Sequence, residues 1–117
     1  MRIVSFTADG RSSWGAVVDQ AGGAGIVDLG RLLPDTPSVH ALLSAGALGS
    51  ARTALESAKP DLKLADVTLL PPVTDPEKIL CIGVNYANRN AEYKDGSQEA
   101  KFPSIFVRFP GSFVGHG

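Results

Sequence analysis

The residues best suited to chemistry lie where an apolar stretch, residues 78–84, gives way to a polar one, residues 85–93. Active-site groups often sit where a strand ends and a loop begins. Asn85 is a suitable cap for a short helix, on which Arg89 and Glu92, three residues apart, share one face. These two residues form either a functional pair or a weak, solvated ion pair, and the spacing alone favours the ion pair.

Other reactive side chains carry weaker signals. Cys81 lies inside the apolar stretch, and we expect it to be an inert, buried thiol. His40 stands beside apolar residues on a predicted helix without a second ligand nearby, so we expect it to be half-buried or at the surface. The glycines of residues 22–25 do not complete a nucleotide-binding loop and predict a turn.

The composition indicates a folded, nearly neutral protein. Its 117 residues include 11 basic and 12 acidic side chains, a net charge of −1, and 44% hydrophobic residues. A basic nucleic-acid module is therefore not expected, and no apolar run is long enough to span a bilayer. With a single cysteine and no visible signal peptide, the sequence predicts a cytoplasmic protein that has neither nucleic acid nor membrane as a partner.

The front of the chain predicts a small β-meander. Alternating side chains predict a strand over residues 2–6, and residues 14–19 and 26–29 are typical of two more strands. Ala8-Asp9-Gly10 is a hairpin-type turn between the first two strands.

Two helices are predicted after the meander. Thr36 and Pro37 signal the start of the first helix, and Gly46 signals its end. The second helix covers residues 48–58, whose apolar side chains recur at helical spacing. Residues 64–70 return to a strand-like pattern, so the fold class of this part is α+β.

A proline-rich stretch divides the chain. Three prolines within residues 71–76 are incompatible with a helix or a central strand, so we predict a domain over residues 1–72. Beyond it, residues 78–84 and 103–109 have the pattern of buried strands, the first buried on both faces. Because two strands cannot close a core alone, residues 73–117 are expected to be the truncated beginning of a larger domain.

The order of residues from 78 to 117 resembles the fumarylacetoacetate hydrolase family. The strand and turn read K-I-x-C-I-G-x-N-Y, a short helix ending in A-E follows, and P-S-I-F-x-R and G-x-x-x-G-H-G come after it. Residues 1–72 resemble that family's small N-terminal domain in their arrangement. The resemblance implies that a β-rich catalytic domain follows the N-terminal meander and its two helices.

The resemblance also implies a metal-dependent enzyme. Members of that family bind Mg²⁺ or Mn²⁺ through two Glu and one Asp, and they cleave, decarboxylate or isomerise small 2-oxo or 2,4-dioxo acids. The ligand carboxylates follow the Gly-His-Gly region, which here is residues 115–117. We therefore expect this chain alone to bind no metal and to be inactive, and the full-length protein to act on such an oxo acid as a homodimer.

The resemblance assigns roles to four residues. Glu92 matches a glutamate that is thought to activate water together with a His three residues before it, but that position is Arg89 here, and arginine is a poor general base. We expect Arg89 to bind a substrate carboxylate and Glu92 to orient it. Tyr86 and Arg108 complete the expected substrate-binding set, and Arg108 is equally well explained by a structural ion pair.

A non-enzymatic interpretation stays open. The chain would then be a small interaction or dimerisation domain. A Glu-x-Glu pair soon after Gly117 in the reading frame, with an Asp beyond it, would favour the enzyme, whereas a stop codon would favour the interaction domain.

Overall fold

The computed structural model describes residues 1–83 and 102–117. The strands are β1 (Arg2–Ala8), β2 (Arg11–Gln20), β3 (Gly23–Val27), β4 (Leu62–Lys63), β5 (Thr68–Leu70), β6 (Leu80–Gly83) and β7 (Ser104–Val107). The helices are α1 (Leu29–Leu32), α2 (Val39–Ser44) and α3 (Leu48–Ser57), with 3₁₀ turns at Leu64–Asp66 and Pro110–Ser112. The fold class is α+β, as predicted. In the part that the structure describes, no helix is long and apolar enough to cross a membrane.

The chain forms two compact units. The first consists of Met1–Pro76 together with Phe113–Gly117, and the second of Glu77–Ser112. The chain therefore leaves the first unit after Pro76 and rejoins it at Phe113.

The first unit contains a five-stranded antiparallel sheet in the order β4-β3-β2-β1-β5. The predicted meander is confirmed and forms the centre of this sheet, but its third strand, predicted over residues 26–29, is Gly23–Val27, and the turn predicted at residues 22–25 lies at residues 21–22. Asp9 and Gly10 join β1 to β2 with φ of 50° and 74°, the left-handed backbone of a tight hairpin turn. The strand predicted over residues 64–70 is shorter in the structure, because only its last three residues pair with β1.

The two faces of this sheet bury different apolar side chains, because alternate residues of a strand point to opposite sides. One face packs against the helices through Trp14, Ala16, Val27, Leu29, Val39, Leu42 and Ala51. The other face centres on Phe6, Val17 and Ile26, which are covered by side chains from residues 62–69 at the two edges of the sheet. The helices thus cover one face of the sheet, and apolar side chains of the segment from β4 to β5 pack on the other.

The first predicted helix begins later in the structure than predicted, and it ends where predicted. α2 is capped by Ser38, whose hydroxyl accepts the N–H of Ala41 at 3.1 Å. Thr36, the predicted cap, instead donates its hydroxyl to the carbonyl of Leu33 at 3.1 Å. Gly46, with φ of 62°, follows the end of α2 as predicted. The second predicted helix is confirmed as α3, which ends one residue early.

The second unit contains an antiparallel ribbon of β6 and β7. Its apolar side chains are exposed on both faces: Ile82 is 62% exposed, Ile105 is 66% exposed, and Phe106, on the opposite face from Ile105, is 48% exposed. The predicted burial of the first strand on both faces is therefore wrong for the described chain. The reason is that a two-stranded ribbon supplies no other layer to cover its side chains.

We expect limited proteolysis to cut between the two predicted domains before it cuts within the first. Glu77 lies in the irregular stretch between β5 and β6, whereas Glu56 lies in α3, whose backbone must open before a protease can bind it. Endoproteinase Glu-C should therefore cleave after Glu77 well before it cleaves after Glu56, as read by mass spectrometry of a timed digest. Earlier cleavage after Glu56 would contradict a first domain that folds independently.

Candidate functional site

Three of the four predicted site residues, Tyr86, Arg89 and Glu92, lie outside the described residues. The fourth, Arg108, follows β7 and is exposed. Its Nε donates to the hydroxyl of Ser112 at 3.3 Å. Within residues 1–83 and 102–117 its guanidinium has no carboxylate partner, so the role of Arg108 stays a prediction.

The two other reactive side chains lie apart from any cluster. His40 is half-buried, as predicted, with its Nδ1 3.2 Å from Oδ2 of Asp75. Cys81 lies on β6 and is only partly buried. The expected burial of its thiol is therefore not found, for the same reason that the rest of the ribbon is exposed.

Metal ligands among the described residues would come from clusters of His, Cys, Asp and Glu side chains. No three His, Cys, Asp or Glu side chains among them are placed to hold a metal ion. An open groove of about 640 Å³ lies between the β2–β3 turn, residues 63–69 and the C-terminal His116 and Gly117. The residues that line the groove include Lys63 and His116 but, among the described residues, no Asp or Glu, whereas Mg²⁺ and Mn²⁺ prefer carboxylate oxygens.

The most highly connected polar group of the first unit is a buried carboxylate, that of Asp28, which is 2% exposed. Asp28 lies between β3 and α1 and caps the helix. Its Oδ1 accepts a hydrogen bond from the hydroxyl of Ser13 at 2.6 Å and from the backbone N–H of Arg31 at 3.1 Å. Its Oδ2 accepts from the guanidinium of Arg11, so both oxygens are satisfied.

A second carboxylate extends this network. Oδ2 of Asp61 accepts the backbone N–H of Asp28 at 3.1 Å, and Oδ1 of Asp61 accepts from the guanidinium of Arg31 at 2.6 Å. The backbone N–H of Asp61 in turn donates to the carbonyl of Ile26 at 2.8 Å. We call Arg11, Ser13, Asp28, Arg31 and Asp61 the Asp28 cluster; its two carboxylates and two guanidiniums balance in charge.

The electrostatics of the Asp28 cluster indicate a structural role. Burial by itself raises the pKa of Asp28, but the hydrogen bonds from Ser13, Arg11 and the Arg31 backbone, together with the positive charge of Arg11, outweigh it and hold the pKa below the ordinary value of 3.8. A general acid or base works best with a pKa near the working pH. Asp28 is instead permanently ionised at neutral pH and ties the elements around it together.

The prediction of one strand over residues 26–29 does not anticipate this cluster, because Asp28 in fact follows the end of β3 and caps α1. Two signals for it were present. An Asp directly before a short apolar segment is a strong helix cap, and Arg11 and Ser13 are two apart on a strand and so share a face. The approach of Asp61 is a long-range contact that carries no local signal.

Replacing Asp28 by Asn should lower the free energy of unfolding by about 2–4 kcal/mol, because the buried site loses the charge that three donors hold. Urea denaturation followed by the fluorescence of Trp14, the single tryptophan, which is buried in the same unit, measures this. Asp19→Asn is the matched control, since Asp19 and Arg2 form an exposed ion pair that contributes little. Equal effects of the two substitutions would contradict a structural role for the Asp28 cluster.

The stabilising effect of Asp28 should also disappear in acid. Since the pKa of Asp28 is lowered by folding, its contribution is fully present above the unfolded value of 3.8 and is lost as the pH falls through the lower folded value. The stability gap between the wild-type chain and Asp28→Asn should therefore stay constant from about pH 7 to about pH 5 and narrow in stronger acid. A gap that persists unchanged well below the unfolded pKa would show that the charge of Asp28 is not what stabilises the fold.

Comparison with curated proteins finds relatives along nearly the whole chain. A mitochondrial oxaloacetate tautomerase of Xenopus laevis is 36% identical over 118 aligned positions, which cover 98% of this chain and 36% of that protein. Mitochondrial oxaloacetate tautomerases of Rattus norvegicus and Homo sapiens are 36% and 34% identical, and this chain covers 37% of each. The chain thus spans little more than a third of the length of these relatives.

The names of the relatives connect them to the family that the sequence resembles. A relative from Pongo abelii, 33% identical over 118 aligned positions, is named fumarylacetoacetate hydrolase domain-containing protein 2. No family model matches the chain. The relatives' alignment covers both the front of the chain and residues 78–117, where the resemblance lies. That resemblance is therefore confirmed, and this chain is related to the fumarylacetoacetate hydrolase family.

Proposed function

We propose that this chain is the N-terminal part of an enzyme that interconverts the keto and enol forms of oxaloacetate or of a similar 2-oxo acid. The observation that carries the proposal is an identity of 34–36%, over 98% of the chain, to proteins named oxaloacetate tautomerases. Oxaloacetate is a 2-oxo acid, so this substrate belongs to the class of 2-oxo and 2,4-dioxo acids that the sequence resemblance implies.

The second unit, on this proposal, is the start of a catalytic domain, and the first 72 residues are a separate N-terminal domain. The exposed apolar side chains of the β6–β7 ribbon support this, because they require a covering layer in water. The relatives are long enough to contain one, since this chain covers only 36–37% of their length.

Metal binding, in the same proposal, belongs to a part of the protein that follows this chain in sequence. The Mg²⁺ or Mn²⁺ ligands that the resemblance implies come after the Gly-His-Gly segment. We therefore expect the isolated chain to be inactive.

The chemistry of tautomerisation gives the Arg89–Glu92 pair a role. Conversion of the keto form to the enol moves a proton from the carbon beside the oxo carbon to the oxo oxygen and consumes no water. Arg89 binds a substrate carboxylate through its planar guanidinium, and Glu92 takes the proton from that carbon and delivers it to the oxo oxygen, with the reverse transfer in the opposite direction. Because the reaction consumes no water, it does not require a water-activating His at position 89, where this chain has an arginine. Tyr86 and Arg108 supply further contacts to the substrate.

A dimerisation domain without catalytic activity is the second candidate function. The exposed β6–β7 ribbon favours it, since a second copy of the chain would also cover the apolar side chains. The two candidates differ in what a protein of the relatives' length does, because only the enzyme alters oxaloacetate. The homodimer expected for the full-length enzyme is compatible with both. The relatives' names place those proteins in mitochondria, and the cytoplasmic location inferred from this sequence stays a prediction.

In a protein of the relatives' length that contains this chain, Arg89→Ala should raise the KM for oxaloacetate by about 10- to 150-fold, the equivalent of roughly 1.5–3 kcal/mol for a hydrogen bond to a charged group. Arg89→Lys should recover part of this loss, because an ammonium keeps the charge without the planar fork. The assay follows the ultraviolet absorbance of the enol and subtracts the uncatalysed rate.

Arg52→Ala is the control, because Arg52 is exposed on α3, and this variant should behave as the wild type. A wild-type protein that does not accelerate the exchange of enol and keto forms would overturn the proposed function. Unchanged kcat and KM in Arg89→Ala would leave the function standing and make Arg89 a surface charge.

A further inference from the structure

One residue near the end of the chain, Gly115, lies very close to the backbone of β5 in the first unit. Phe113–Gly117 belong to that unit, although the preceding residues, Glu77–Ser112, form a unit of their own. Gly115 is half-buried, while the residues on either side of it are exposed. Gly115 is also the first glycine of the Gly-His-Gly motif.

Gly115 lies where no side chain fits. A Cβ added there would be 1.8 Å from the carbonyl oxygen of Leu69, 2.4 Å from its carbonyl carbon and 2.9 Å from the backbone nitrogen of Leu70. All three atoms belong to the backbone of β5, so no side-chain rotation relieves the overlap. The φ of Gly115 is outside the left-handed region, and the contact itself is therefore what requires glycine.

The residues after Gly115 stay on the same unit. His116 and Gly117 form one wall of the 640 Å³ groove, whose other walls include Leu64, Val67 and Leu69. Leu69 thus takes part both in the backbone contact and in the groove. The tail therefore meets the first unit over several consecutive residues, with Gly115 at the point of closest approach.

We propose that Gly115 is a positioning residue, whose contact with Leu69 docks the Gly-His-Gly segment on β5 and fixes where the following chain begins. One part of this inference rests on the proposed function: the metal-binding carboxylates implied by the family resemblance follow this segment. The N-terminal domain then acts as part of the scaffold of the catalytic site, because the chain that carries the ligands starts from its sheet.

Nuclear magnetic resonance of the 117-residue chain tests the docking directly. In the wild type, the Hα protons of Gly115 should show nuclear Overhauser effects to the amide proton of Leu70, and residues 113–116 should have order parameters near the rigid value of about 0.85. Gly115→Ala should abolish the Overhauser effects and lower these order parameters below about 0.6. The fluorescence of Trp14 reports that the first unit of each variant is folded.

Gly111→Ala is the matched control, because an added Cβ at Gly111 has no atom within 4 Å and its φ is outside the left-handed region. It should keep the wild-type spectra of residues 113–116. A mobile tail in the wild type, or a tail that stays docked in Gly115→Ala, would overturn the proposal.

A second measurement separates this proposal from the proposed function. In a protein of the relatives' length, Gly115→Ala should weaken the binding of Mn²⁺ by about tenfold in calorimetry, on the scale of other losses in ligand positioning, and Gly111→Ala should not. Equal Mn²⁺ affinity of the wild type and Gly115→Ala would overturn the positioning role and leave the enzyme function intact. A wild-type protein that binds no Mn²⁺ and has no tautomerase activity would overturn both the enzyme function and the scaffold role. The docking contact itself is tested only by the nuclear magnetic resonance measurements on the 117-residue chain.

Discussion

The buried charge of Asp28 is the interaction on which the first unit depends. A carboxylate that is 2% exposed is stable only when its oxygens are fully hydrogen-bonded and its charge is matched. Its donors come from β2 and from the first turn of α1, and Asp61 binds its backbone. Displacing any one of these elements would leave a charge buried without its partners, so the positions of strand, helix and following segment are set together. In the described part of the chain, no buried side-chain nitrogen or oxygen lacks a partner.

The helices of the first unit are placed by the residues beside this cluster. Trp14 follows Ser13 on β2 and points to the opposite face of the sheet, where it is 1% exposed and packs with side chains of α1, α2 and α3. Its indole Nε1 donates to the carbonyl of Thr36 at 2.6 Å. The loop before α2 is thereby held against the core, and the helix begins where Ser38 can cap it.

The elements predicted correctly are those with a local signal. The alternation in β1, the Asp9-Gly10 turn, the spacing of α3 and the glycine after α2 each follow from a few neighbouring residues. α1 is only four residues long, too short for a periodic pattern, and Thr36 and Ser38 both have hydroxyls that can cap a helix, so the local sequence does not decide between them. The exposed ribbon differs from its prediction because burial depends on a covering layer that the two strands do not supply.

Only part of the candidate site can be predicted from the sequence. The order of residues from Lys78 to Gly117 was enough to indicate the family, because it combines several short motifs at fixed spacing. The roles given to Arg89 and Glu92 rest on that order alone. The Asp28 cluster and the contact of Gly115 with Leu69 join residues far apart in sequence, so no local pattern predicts either of them.

The position of β5 in the sheet has a consequence for how the protein is made. β1 pairs with β2 through a two-residue turn, and such a hairpin forms in about 1–10 μs, yet the other edge of β1 pairs with β5, where Ser5 lies opposite Leu70. During synthesis from the N-terminus, β1 is therefore complete long before its second partner has left the ribosome. Its open edge can pair with another chain during that interval. The growing chain is thus a state in which this sheet is exposed to aggregation.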